Sequence, residues 1–228
     1  MTAGQLRRRA TRTRAVAPEH KSERRAAIVR AADELLRRDP AATFSVEEVA
    51  RRAGLAKGTV YLYFGTREEA LLAVHERHTQ ELFDVLGRSL AAPDVDGRRV
   101  VRDGLAYLRA HPEFYPLAGN CRSMLDTNIG TEAAFAFKLG VAQRLDPLGR
   151  RIEELNPGLA PGEGIALLMN CYALITGLWQ LADPPLSLRG VMHRPEMAMF
   201  RIDFERQLEA ALLDLWESVE RRSTRSTP

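Results

Sequence analysis

A chain of 228 residues with 45% hydrophobic content, 28% charged residues and a formal net charge of +3 can bury one sizeable core or two small ones, which excludes a disordered polyelectrolyte. Its two cysteines, Cys121 and Cys171, stand fifty residues apart without paired-ligand spacing, a pattern that fits reduced thiols and argues against a structural zinc. The charge is uneven: residues 1–67 carry fifteen Lys and Arg against seven Asp and Glu, a net of +8, which leaves −5 for residues 68–228. Attraction to a polyanion is therefore concentrated toward the N-terminus, while the acidic remainder discourages the rest of the chain from lying on nucleic acid.

Residues 1–20 are Arg-rich, with Arg7, Arg8, Arg9, Arg12 and Arg14 ahead of Pro18, and are expected to be disordered off DNA. Three readings of this arm stay open: a minor-groove or phosphate-binding arm, an organelle transit peptide, and a solvated tail. It has no apolar run of signal-peptide type, so a cytoplasmic location is expected. A domain over 21–81 follows. Its first helix begins near Ser22, turns Ile28, Val29, Ala32, Leu35 and Leu36 inward and stops at Pro40.

Residues 45–64, SVEEVARRAGLAKGTVYLYF, read as two short helices around a glycine. Ser45 with Glu48 three places on is a capping box, in which hydroxyl and carboxylate each satisfy an orphan backbone N–H. Val46, Val49, Ala50 and Ala53 form the inner stripe, Gly54 supplies the left-handed conformation that ends the helix, and a second helix restarts near Ala56 or Lys57. On that second helix Val60 and Phe64 point inward, and Gly58, Thr59 and Leu62 point outward between Tyr61 and Tyr63. The outward face suits a DNA groove: Lys57 reaches phosphate, Thr59 and the tyrosines bond phosphate oxygens or base edges, Leu62 meets a thymine methyl, and Gly58 admits close backbone approach. A surface without a partner seldom gathers such residues on one short helix.

The stretch from Ala53 to Leu72, AGLAKGTVYLYFGTREEALL, resembles the DNA-binding signature of the TetR family of bacterial transcriptional regulators, AGVSKGTLYHYFPSKEALL. The resemblance covers residues 22–75. Ala56 replaces the family's usual serine, Leu62 its frequent histidine, and Arg67 its common lysine. The resemblance implies DNA contact by Ser45, Lys57, Gly58, Thr59, Tyr61, Leu62, Tyr63 and Arg67. It also implies an all-α fold, in which an N-terminal three-helix helix-turn-helix domain precedes a helical ligand-binding and dimerisation domain.

That second domain is expected over 82–220, with a disordered tail at 221–228. A long helix from Arg67 to about Leu90 leads into it, and further helices are expected at 98–110, 113–126, 131–155, 164–182 and 195–220, with no strand alternation anywhere. The segment 164–182 is apolar nearly all round, but Asn170, Thr176 and Gln180 within it and acidic flanks at Glu163 and Asp183 point to a helix buried on every side within a protein rather than a membrane span. The helix at 195–220 carries an apolar stripe wide enough to imply a neighbour. The family resemblance implies a homodimer through 164–182 and 195–220, and hence a near-palindromic operator on double-stranded DNA. An apolar small-molecule effector is expected in a cavity lined by Phe114, Tyr115, Leu117, Met124, Phe135, Phe137, Met169, Tyr172 and Trp179, with Asn120, Cys121, Asn170 and Thr176 as its polar groups.

The function expected is a homodimeric repressor released from its operator by that effector. An alternative is a DNA-bound adaptor or architectural protein without an effector, and a remote one is a metal-dependent enzyme. His75, His78 and Glu81 stand at helical spacing and read either as a metal-ligand face or as a solvated linker-helix surface. With no second cluster of suitable spacing, the solvated surface is expected, and no metal or cofactor. His111 and His193 show no partner for catalysis, and no phosphate-cradling glycine loop or nucleophile elbow occurs, so no catalytic residue is assigned.

Overall fold

The structure, a computed structural model, describes residues 3–39, 44–127 and 129–225, and the side chains of these except 3–19, 122–127, 186 and 223–225. Among the described residues every regular element is helical. The chain divides into two compact units, Met1–Val74 and His75–Pro228, so the boundary lies before the residue 81 expected.

The first unit holds α1 (Ala3–Arg38), α2 (Val46–Ala53), α3 (Lys57–Tyr61) and the start of α4 (Arg67–Leu90). Helix α1 does not begin near Ser22. It continues through residues 3–20, the expected disordered arm, where Ala and Arg, both strong helix formers, make up nine of the eighteen residues. Pro40, the expected stop, lies outside the described residues. Ile28, Val29, Ala32 and Leu36 of α1 are buried, as are Val49 and Ala50 of α2, Val60 of α3, Phe44 and Phe64. Burial of these side chains, worth about 1.5–3 kcal/mol for each large one, is what holds helices too short to persist alone. Leu35, Val46 and Ala53 are only half-buried.

The second unit continues α4 and adds α5 (Gly97–Ala110), α6 (Phe114–Thr127), α7 (Thr131–Leu155), α8 (Glu163–Ala182), α9 (Leu186–Met192), a 3-10 helix (Pro195–Phe200) and α10 (Phe204–Arg225). Its core gathers Leu90, Val100, Leu105, Leu108, Phe114, Ile152, Leu167, Leu168, Leu208, Leu212 and Trp216. Helices α7 and α8 meet at glycine: a Cβ on Gly164 would lie 2.1 Å from the Gly149 carbonyl oxygen. The backbones therefore touch where any side chain would hold them apart.

Three expectations need correction here. The single helix expected over 195–220 is two elements, because Asp203 starts α10 afresh by accepting from the Arg206 N–H through Oδ1 at 3.2 Å. Residues 221–225, expected in a disordered tail, extend α10. Helix α8 is not enclosed on every side: less than a fifth of its apolar stretch is buried in the single chain, chiefly Gly164, Leu167, Leu168 and Ile175. It is long and apolar enough to cross a membrane, but that one side packs against α6, α7 and α10.

Candidate nucleic-acid interface

The capping box at Ser45 forms as its spacing dictates. The Glu48 N–H donates to Ser45 Oγ at 3.2 Å, and the Ser45 N–H donates to Glu48 Oε2 at 2.7 Å. Bonds from the Ser45 backbone and hydroxyl hold the Glu48 carboxyl below its usual range. Gly54 then turns the chain at φ 67°, and the Leu55 N–H donates to the Ala50 carbonyl at 2.9 Å, closing α2.

Helix α3 starts without side-chain support. Ala56 stands at its N-cap with no side-chain bond, the direct consequence of having no hydroxyl there. At the other end the N–H groups of Tyr63 and Phe64 donate to the Val60 carbonyl at 2.9 and 3.0 Å. Val60 and Phe64 anchor the element inward, leaving Tyr61 47% and Leu62 80% exposed. Tyr63 and Thr59 are half-buried, so Thr59 faces outward less fully than its helical phase suggests. Gly58 is exposed, with no heavy atom within 4 Å of the place a Cβ would occupy. Nothing inside the chain therefore requires a glycine there.

Cations border this face. Lys57 Nζ lies 3.8 Å from Glu47 Oε2, both side chains exposed, and Arg67 pairs with Glu68 at 3.2 Å. Arg25 of α1 lies 5.1 Å over the Phe64 ring, a cation–π contact bracing the back of the motif. Helix α4 is started by Thr66, whose Oγ1 accepts from the Glu69 N–H at 3.1 Å, while Glu69 reaches back to the Gly65 N–H at 2.7 Å. This reciprocal pair fixes Arg67 at the helix start.

The residues expected to line an effector cavity differ in burial. Phe114, Leu117, Cys121 and Phe137 are buried, and Tyr115, Thr176 and Trp179 are half-buried. Asn120, Phe135, Met169, Asn170 and Tyr172 reach solvent, and the Met124 side chain lies outside the described residues. A cleft of about 500 Å³ between α4 and α7 instead uses Phe83, Gly87, Arg88, Arg144, Pro147 and Leu148 among its lining, none of them anticipated. Both thiols are free. Burial raises the Cys121 thiol and pushes that of Cys171 up to about 12.

The histidines of α4 are not a solvated surface. His75 and His78 are both buried, because this face of α4 lies beneath aromatic side chains: His75 meets Phe114 and Phe137, and His78 meets Tyr107 and His111. His111 also has a partner after all, with Nδ1 3.2 Å from Glu113 Oε1. Sequence spacing along one helix had no means of joining α4 to the turn between α5 and α6.

A capped helix, a left-handed glycine and a short helix with exposed tyrosine and leucine, ahead of a wholly helical second unit, define a helix-turn-helix DNA-binding transcriptional regulator. Residues 28–74 match the bacterial regulatory proteins of the tetR family, and residues 76–222 match the tetracyclin repressor-like C-terminal domain. The chain belongs to the TetR family and is, by that membership, a regulator and not an enzyme. It is 28% identical over 176 residues to an uncharacterized HTH-type transcriptional regulator of Mycobacterium tuberculosis, covering 74% of this chain and 72% of that protein. Among solved structures, a possible TetR family transcriptional regulator from Streptomyces coelicolor A3(2) superposes with a TM-score of 0.58 at 23% identity, covering 86% of this chain and 98% of the other. A second tetR-family regulator from Streptomyces coelicolor gives a TM-score of 0.51 at 19% identity, covering 91% and 90%. At these identities the likeness speaks for the fold.

Proposed function

We propose that this regulator is a homodimeric repressor that reads a near-palindromic operator through α3 and leaves it when a small apolar molecule binds the second unit. The reading is carried by the exposed face of α3. Lys57 and Arg67 anchor on phosphate, the Gly58 backbone approaches the duplex, and Thr59, Tyr61, Leu62 and Tyr63 meet base edges, thymine methyls or phosphate oxygens, with the Ser45 end of α2 against the backbone. The charge asymmetry supports the same placement, since net positive charge is confined to residues 1–67. A protein acting on an operator works in the bacterial cytoplasm.

Dimerisation is supported by α8. Ala166, Met169, Ala173 and Gln180, exposed on this helix, fall at steps of three, four and seven residues, and Gly177, which divides the last step into four and three, has open space at its Cβ position. That stripe, with α10 beside it, is a self-complementary face for a two-fold partner. Two α3 helices then engage successive major-groove faces about one DNA turn apart. The cleft between α4 and α7 supports an effector site. A DNA-bound adaptor is the second reading, favoured by Phe135, Met199 and Phe200, which are 62%, 80% and 54% exposed.

Footprinting on DNA upstream of the protein's own gene, with and without candidate apolar molecules, tests the proposal. Tyr61→Ala or Thr59→Ala abolishes protection while sedimentation still shows a dimer. Protection unchanged in both variants would overturn the contact surface, and a monomer by sedimentation would overturn the palindrome.

A further inference from the structure

We propose that His78, His111 and Glu113 form a binding site for one divalent transition metal ion of the zinc class. The three come from different places in the chain: His78 from α4, His111 from the C-terminal cap of α5, and Glu113 from the residue before α6. Their ligand atoms all lie within 4.8 Å of one another. Glu113 Oε1 is 3.4 Å from His78 Nε2 and 3.2 Å from His111 Nδ1. Ligands held at about 2.0–2.2 Å around a tetrahedral ion are about 3.3 Å apart, so both separations already suit a two-histidine, one-carboxylate set.

The surroundings orient His78 for this role. The Tyr107 hydroxyl oxygen lies 3.0 Å from Glu81 Oε2, 2.9 Å from His78 Nδ1 and 3.2 Å from the His78 carbonyl oxygen. Arg77 in turn donates to Glu81 Oε1 at 2.8 Å, which holds that carboxylate against the tyrosine. His78 Nε2 faces the Glu113 carboxylate. A second-sphere contact from histidine to tyrosine to carboxylate is the usual means of orienting a metal-binding histidine. His111 stacks on Tyr107 with ring centroids 4.3 Å apart. His78 and Glu113 are closed off, whereas the His111 side chain keeps 19% exposure, which gives an ion and its remaining solvent ligand a way in.

One ion here ties α4 to the turn between α5 and α6, all within the second unit. The assignment stands independently of the operator reading, so DNA binding is not its readout. The test is a Co²⁺ titration of the full chain after chelator treatment, following visible d–d absorption, with thermal unfolding measured with and without Zn²⁺. Tetrahedral cobalt bands at one equivalent per chain, and an unfolding midpoint raised by Zn²⁺, are the result expected. His111→Ala, at the most exposed of the three ligands, and Glu113→Gln lose the bands and the shift. Tyr107→Phe weakens binding about 10- to 100-fold without changing stoichiometry. Absence of cobalt bands in the wild-type chain overturns the proposal in favour of a proton-bridged histidine–carboxylate pair. Bands that survive undiminished in His111→Ala overturn it by putting the metal elsewhere.

Discussion

Lys57 Nζ stands 3.8 Å from Glu47 Oε2, so the free chain pairs its best-placed phosphate ligand with a carboxylate on the neighbouring helix. DNA must break that pair, and Glu47 then repels the backbone that Lys57 attracts. Exposed pairs of this kind are worth about 0.2–1 kcal/mol. Glu47→Gln is expected to tighten binding to any duplex by about two- to fivefold, with the thermal midpoint unchanged. Lys57→Ala weakens all DNA alike and lowers the slope of log K against log salt by about one. Fluorescence anisotropy over a salt series checks both.

Gly58 isolates recognition from folding. With open space at its Cβ position, Gly58→Ala is expected to leave the chain as stable or about 0.5 kcal/mol more so, from helix propensity alone. If the α3 backbone lies against the duplex, the added methyl costs about 1–3 kcal/mol of close packing there, a loss of about tenfold or more in affinity. Unfolding curves and operator titrations on one preparation separate the two effects.

The contact of α7 with α8 predicts the opposite pattern. A methyl on Gly164 meets the Gly149 carbonyl oxygen at 2.1 Å, backbone that cannot rotate away. Gly164→Ala is expected to destabilise the second unit by about 3 kcal/mol, whereas Gly177→Ala, with open space around it in the single chain, leaves monomer folding intact. Urea unfolding of the two variants makes the comparison.

His75 ties stability to pH. Burial, reinforced by the nearby His78 and Lys138, lowers its pKa to about 3, and Nδ1 has no hydrogen-bond partner. The unfolded chain binds the proton near pH 6.5 and the folded chain resists it, so stability is full above that pH and falls as pH drops toward 3. Between pH 7 and pH 5 the loss expected from this group is on the order of 2 kcal/mol. His75→Phe should flatten that part of the profile, measured as urea midpoints at matched ionic strength. An unchanged slope would remove His75 as its source.

The helix-turn-helix was legible because its determinants are local. Ser45 and Glu48 find each other across one helical turn, Gly54 takes the conformation a side chain would resist, and Thr66 with Glu69 starts α4 where the pattern placed it. The start of α10 carried a local signal too, in Asp203 three residues before Arg206, but the apolar stripe running through it concealed the break. Helix α1 outran its expected start because arginine-rich composition reads as solvated tail and as good helix alike.

What the sequence determined by itself is the set of bonds made between residues a few places apart: caps, the glycine turn, helix phase, and with them the tyrosine-bearing face of α3. What only the tertiary structure decided is the set of pairings between residues tens of positions apart. His78 turned from a surface histidine into a buried one 3.4 Å from Glu113, and α8 kept an apolar side uncovered in the single chain. A side chain's environment is fixed by the helix laid over it, and periodicity along one helix carries no information about which helix that is.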